Sequence, residues 1–414
     1  MNATRCTAFL FPCFLAMVTA IAEPRHVYLT WQGDTGTTMT VNYQTLKKTR
    51  KTEVHYDTVS RGGDPKAYAH HVTGTSHQIP DMMDERLIHV VELQNLKPGG
   101  TYYFIAGDPR RGFSKELKFR TIPSGDAPIR FVTGGDMEST SITRKLLTLA
   151  AHEDPQFCVI GGDIAYGNGL VGPDIRIAPG RKRASVAWDR WLDNWEELMV
   201  TREGYQIPMV LAIGNHEVRG SFNQRPERAP IYRGYFAQEG GRSYFSRTFG
   251  ENMLLIALDT NHITPYEGAQ TDWLRETLAA STHIPYTFAL YHVPLYPTFR
   301  PYDGPGSVEG RKYWMPLFDE FGLTAAFENH DHVFKRTKLL KGDKVDPDGT
   351  LYIGDGCFGQ PRRPLSEANH RWYHEKTQSI EHFWVVDVYN ERTRYRAIDF
   401  EGNELDDVST PRKR

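Results

Sequence analysis

Five short strings in this chain each close a hydrophobic segment with residues that bind metal. They are Gly134-Gly135-Asp136, Gly161-Gly162-Asp163-Ile164-Ala165-Tyr166, Gly214-Asn215-His216-Glu217, Leu290-Tyr291-His292 and Asn329-His330-Asp331-His332. Apolar runs at Ile129–Thr133, Phe157–Ile160, Met209–Ile213, Tyr286–Tyr291 and Leu323–Phe327 precede them and read as strands. Helical patterns at Ser141–His152 and Trp188–Val200 fall between, and Met253–Leu258 reads as a further strand. Strands alternating with helices predict an α/β domain, in which ligands gather where strands end and loops begin. All five strings lie at such places.

Singly, each string is weak evidence. A lone His is more often structural than metal-binding, and an Asp after two glycines is often a turn. Jointly they supply two aspartates, a tyrosine, an asparagine and three histidines. That set suits two neighbouring metal ions, which most often serve hydrolysis of a phosphate ester. Two metals need a shared ligand. Asp163, at the most glycine-rich strand end, is the best candidate because a carboxylate has two oxygens. Tyr166 lies three residues on, and phenolate ligation favours a ferric ion. Imidazoles suit zinc or ferrous iron.

At 414 residues with 39% hydrophobic content the chain suits two domains with real cores. A formal net charge of −2 excludes a broad basic surface for nucleic acid. Residues 1–22 read as a secretory leader: Arg5, an apolar run from Ala8 to Val18, then Ala20-Ile21-Ala22 before a cut at Glu23. Secretion or a periplasmic location follows, and no other stretch approaches membrane length. Cys6 and Cys13 would leave with the leader. Cys158 and Cys357 remain, either as buried thiols or as one disulfide.

Residues 23–121 alternate apolar and polar positions in short strands, as in Thr38–Tyr43 and Thr101–Ala106, and predict an all-β sandwich. A linker at 122–127 precedes the α/β domain at 128–406, and a polar tail occupies 407–414. Two long loops, 167–186 and 294–310, directly follow donor strings and are expected at a cleft rim. His55, His70, His71 and His77 read as surface residues of the sandwich. His262 follows the strand-end Asp259 in the α/β domain, and a place near the donor strings is the less favoured of its two readings.

The five strings together resemble the purple acid phosphatases, a branch of the calcineurin-like metallophosphoesterases. That family carries an Asp, then Gly-Asp-x-x-Tyr, Gly-Asn-His-Asp/Glu, a lone His, and Gly-His-x-His. The tyrosine is its most specific mark. Other metallophosphoesterases instead carry a His two residues after the first Asp, where this chain has Glu138. The amino-terminal segment resembles the fibronectin type III-like domain of the two-domain members. The resemblance implies a four-layered α/β/β/α phosphoesterase domain behind that sandwich. It implies Fe(III) on Asp136, Tyr166 and His332, and a divalent metal (Zn, Fe or Mn) on Asn215, His292 and His330, with Asp163 bridging. It also implies a metal-activated hydroxide acting on small phosphomonoesters at mildly acidic pH, with His216 catalytic and Glu217 orienting it.

Two departures bear on the site. Asn329 replaces the family's glycine before the last His pair, and a positive backbone angle is expected there. The extra histidines of plant-type members are missing after His292, which makes Arg219, Tyr296 and Arg300 the substrate-contact candidates. Two rival readings stand beside the monoesterase: a phosphodiesterase or nucleotide pyrophosphatase on the same metals, and an inert cell-surface binding protein. Inert relatives usually lose metal donors, and this chain keeps all seven.

Overall fold

The computed structural model describes residues 24–413 apart from 47–48, 80–81, 83, 168–182 and 237. The leader reading and most of the first long loop lie outside the described residues. Among those described, no helix is long and apolar enough to cross a membrane.

The amino-terminal region is an antiparallel sandwich. One sheet holds strands Arg25–Thr30, Met39–Thr45, Leu87–Leu93 and Thr75–His77. The other holds His70–Thr73, Glu53–Asp57, Thr101–Asp108, Gly112–Phe113 and Leu117–Arg120. Alternation sends Met39, Val41 and Tyr43 inward to meet Val54, Phe104 and Phe119.

Behind it two larger sheets face each other. In the first, Met209–Leu211, Phe157–Ile160 and Ile129–Gly134 run parallel. His382–Val388, Arg392–Asp399 and Glu404–Pro411 continue it antiparallel. In the second, Met253–Ala257, Tyr286–Leu290, Ala325–Glu328 and Thr350–Gly354 are parallel, flanked by Phe245–Phe249 and Phe334–Lys341. Their inner faces share an aromatic core. Phe131 stacks on Phe157 at 5.2 Å and meets Phe327 edge-on at 5.6 Å.

Helices α1 (Ser141–His152), α2 (Arg183–Leu198) and α3 (Pro230–Tyr235) belong to the apolar cluster over the first sheet's outer face. Helices α4 (Ala269–Ala280), α5 (Pro305–Tyr313) and α6 (Met315–Glu320) cover the second. The result is the four-layered α/β/β/α arrangement behind a β-rich domain. Thr140 caps α1, accepting from the amide of Thr143, and Leu146, Leu147 and Ala150 form its buried stripe. Helix α5 starts inside the segment read as a loop at 294–310. Pro305 fits a first helical turn, and Ser307, Gly310 and Arg311 are buried beneath it.

The sandwich is bound firmly to the rest. Trp31 meets Phe157 and Phe249 edge-on, and one continuous apolar cluster runs from Leu29 and Val41 through to Phe288 and Ile353. Tyr28 donates to the carbonyl of Tyr235 at 2.7 Å. His77, read from sequence as a surface residue, instead bonds the carbonyl of Gly234 at 2.8 Å. Cys158 and Cys357 are both free and buried, so the disulfide alternative is not realised.

Candidate metal centre

The parallel strands deliver the seven sequence-predicted donors to one place. On one side, Asp136 Oδ1 lies 3.0 Å from His332 Nε2 and 3.3 Å from the Tyr166 hydroxyl, which is 3.2 Å from His332 Nε2. On the other, His292 Nε2 lies 3.2 Å from Asp163 Oδ2, 3.1 Å from Asn215 Oδ1 and 2.9 Å from His330 Nδ1. Ligand atoms of Asp163, His292 and His330 all fall within 4.8 Å of one another. Metal bonds of about 2.1 Å at right angles put neighbouring donors about 3 Å apart. The donor set therefore fits two ions in both chemistry and spacing.

Each aspartate divides its work between its two oxygens. Asp136 Oδ2 accepts from the amide of His330 at 2.8 Å, and Asp163 Oδ1 from the amide of His216 at 2.7 Å. One oxygen thus ties a neighbouring strand end, and the other faces the donors. Asp163 is the residue that two metals would share, with Oδ2 on the side of His292. The proton on His292 is fixed as well: Nδ1 lies 2.9 Å from the carbonyl of Gly161, which leaves Nε2 as the ligand atom.

The backbone that carries these groups is strained. Asp136, Asp163, Tyr166, His330 and His332 have φ of +57°, +50°, +54°, +79° and +55°. Such angles cost about 1–2 kcal/mol for residues other than glycine and cluster at functional sites. Hydrogen bonds between strand ends hold them: the amides of Asp136, Met137 and Glu138 donate to the carbonyls of Gly162, Asp163 and Ile164 at 3.0, 3.0 and 2.9 Å. The expected positive angle at Asn329 falls instead on His330. Asn329 acts through its amide, which donates to the carbonyl of Tyr291 at 3.1 Å and occupies the space beside Gly161. A Cβ on Gly161 would sit 1.8 Å from Asn329 Nδ2.

Electrostatics follow burial and crowding. Burial raises the Asp163 carboxyl, but His292 and His216 overcome it and hold the group below the usual carboxylate range. Burial lowers His292, yet Asp163 and Asp136 bring it up to about 9. Burial, with Asp136 and Asp163, pushes the Tyr166 phenol well above its usual value. A phenolate here therefore calls for a strongly charged cation at its oxygen.

His216 lies over Tyr166, ring centroids 4.1 Å apart, with Nε2 3.8 Å from Asp163 Oδ2. Glu217 does not orient that ring. Its carboxylate accepts the amides of Asp163 and Gly214 at 2.8 and 2.9 Å and of Ile164 at 2.8 Å, fastening two strand ends together. Tyr296 also departs from expectation. It is fully buried, its hydroxyl donates to Met315 Sδ at 3.1 Å, and its ring packs on Tyr352, so it faces the core and not a substrate. Arg219 lines a narrow hollow with His216, Glu217 and Arg228. Arg300 borders a wider cleft beside His330 and is anchored on Asp331 Oδ1 at 2.7 Å.

His262 packs against His292 at 5.6 Å but commits both nitrogens elsewhere, to the carbonyl of Ser221 and the hydroxyl of Thr260. Asp331 was not anticipated. Its Oδ2 takes the amides of Thr298 and Phe299 at 2.7 Å each, setting the loop that presents Arg300. Phe222, also missed, is exposed beside the cleft; an aromatic between Gly220-Ser221 and Asn223 was the available signal.

The fold and donor arrangement define a calcineurin-like phosphoesterase domain behind a β-rich domain. Residues 24–121 match the family described as Purple acid Phosphatase, N-terminal domain, and residues 129–334 match Calcineurin-like phosphoesterase. The chain belongs to the purple acid phosphatase family. Purple acid phosphatase 15 of Arabidopsis thaliana is 27% identical over 292 residues, covering 65% of this chain and 53% of its own length. Purple acid phosphatase 21 of the same plant is 26% identical over 347 residues, covering 78% and 73%. The match thus spans little more than half of the first relative. The purple acid phosphatase PPD1 from yellow lupin seeds superposes with a TM-score of 0.77 at 16% identity, over 94% of this chain and 75% of that one.

Proposed function

We propose that this protein is an exported dinuclear-metal acid phosphatase that hydrolyses phosphomonoesters. The observation that carries the reading is the convergence of seven donor side chains from five strand ends, with neighbouring donor atoms 2.9–3.3 Å apart. Asp136, Tyr166 and His332 would hold a ferric ion. Asn215, His292 and His330 would hold a divalent zinc, iron or manganese, with Asp163 shared. Such a pair supplies Lewis acidity at the phosphoryl oxygens and acidifies the attacking water.

The chain's own residues do the rest. Asp163 and Glu217 fix the relative positions of the strand ends through backbone amides. His216, beside Tyr166 and Asp163, stands where it would stabilise charge on the phosphoryl group or pass a proton to the leaving oxygen. The apolar leader at 1–22 belongs to this reading as the export signal, and a mature product beginning at Glu23 would bear it out.

The first experiment is a visible spectrum with metal analysis of the purified protein, alongside hydrolysis of 4-nitrophenyl phosphate. A tyrosinate–ferric band with about two metals per chain and turnover supports the proposal. A protein that binds no metal after reconstitution overturns it. One observation favours a second reading. The cleft beside His330, about 550 Å³, has room for the extra ester group of a phosphodiester. Faster turnover of bis(4-nitrophenyl) phosphate than of the monoester would select it.

A further inference from the structure

The cleft beside the donor cluster is chemically unlike the cluster itself. Phe222, Tyr266, Val293, Pro301 and Pro305 line it beside His330, and its exposed lining is mainly apolar although Thr260, Asn261 and Ser307 also contribute. A volume of about 550 Å³ lies in the range of sites that enclose small organic molecules, about 300–1,000 Å³.

Phe222 is 40% exposed, yet it is held in place. Ser221 and Asn223 on either side have φ of +65° and +54°. The amides of Asn223 and Gln224 donate to the carbonyls of Asn261 and His262 at 2.6 and 2.9 Å. The ring stacks on His262 at 4.9 Å and stands edge-on to His330 at 6.2 Å. A fixed aromatic surface left in water beside a donor cluster is the kind of wall that an apolar ligand covers.

The cleft's polar groups argue against a second phosphate. Arg300 spends its Nη1 on Asp331 Oδ1 and on the carbonyl of His330, so its charge is shared with a buried carboxylate. Glu309 adds a negative group to the lining. A site for a polyanion would gather cations here.

We propose that this cleft receives the organic group of the phosphate ester, and that it selects an apolar, ring-bearing group over a polyol or a multiply phosphorylated one. The inference rests on the phosphoesterase reading above. It names the substrate class as esters of aromatic or similarly apolar alcohols.

Calorimetric binding of two stable phosphonates to the metal-loaded protein tests it without turnover. 2-Naphthylmethylphosphonate is expected to bind about tenfold more tightly than methylphosphonate, the scale of burying an aromatic surface. In Phe222→Ala that preference is expected to fall about fivefold, with methylphosphonate affinity unchanged, and Phe222→Leu should restore most of it. Equal affinities in the wild type, or a preference untouched by Phe222→Ala, would overturn the cleft assignment even if 4-nitrophenyl phosphate is hydrolysed. A preference that behaves as expected in a protein that hydrolyses no ester would sink the enzymatic reading and leave the cleft assignment standing. Failure of both phosphonates to bind overturns both.

Discussion

Two buried charged clusters in this molecule are built on opposite plans. Between sandwich and α/β domain, Arg86 is fully enclosed, and every partner matches it. Nε donates to both oxygens of Asp84 at 2.9 Å, while Nη1 reaches Asp189, Gln44 Oε1 at 3.1 Å and the Tyr235 hydroxyl at 3.3 Å. Each guanidinium nitrogen meets an acceptor, and in that sense the set is closed. The strand-end set is instead open to a cation. Carboxylate, amide, phenol and imidazole groups, each able to ligate a metal, converge on one another at about 3 Å, on backbone held at unfavourable angles. Buried acceptors are tolerated in such a set when a shared cation compensates them. A buried charge is therefore informative about function only once its partners have been counted.

The largest expected effect breaks the open cluster. Asp163→Ala should lower phosphoester hydrolysis by about a thousandfold and reduce bound metal below one ion per chain by elemental analysis. Retention of both metals and activity would leave the open cluster no different in kind from the closed one. Next comes the closed cluster. Arg86→Ala removes the cation shared by Asp84 and Asp189 in the interface and should cost about 3 kcal/mol in denaturant unfolding, with kcat unchanged while the protein stays folded. Tyr166→Phe should cost about tenfold in kcat but abolish the visible band altogether, separating colour from catalysis within the open set.

The smallest effect concerns a rim pair. His26 Nε2 lies 2.8 Å from Asp193 Oδ1, whose side chain is 58% exposed. The bond from His26, against a smaller opposing effect of burial, lowers the Asp193 pKa. A lowered folded value stabilises above the unfolded pKa, near pH 4, and that stabilisation is lost as pH falls through the folded value. Asp193→Asn should therefore cost no more than about 0.5 kcal/mol near neutrality, and its stability curve should converge with the wild type's in acid. A gap that widens on acidification would contradict the sign.

Legibility in the sequence followed the range of the interactions. The donors were readable because each sits in a short string at the end of an apolar strand, and the parallel strands of the two facing sheets bring those ends together at one edge. Helix α1 was readable because its cap and stripe are local. Tyr296 was not, because its direction is set by Met315 and Tyr352, far along the chain. Glu217 misled because its partners are backbone amides of Asp163 and Ile164, which carry no side-chain signature. Helix α5 was hidden by prolines and glycines that serve equally well in a loop. Asn329 shows a subtler limit: the unusual angle expected there falls one residue later, and the side chain itself fills the gap between two glycine-bearing turns.

The continuous apolar cluster running from the sandwich into the space between the two larger sheets has a consequence for inheritance. Modules that shuffle between genes have sealed surfaces of their own, so a cut at the junction exposes little. A cut near residue 122 here would open the side of a shared interior, with Trp31 lifted from Phe157 and Phe249. Gene fusion or recombination at that seam would yield halves that stick to other proteins. The two parts are thus bound to travel and diverge together as a single heritable unit.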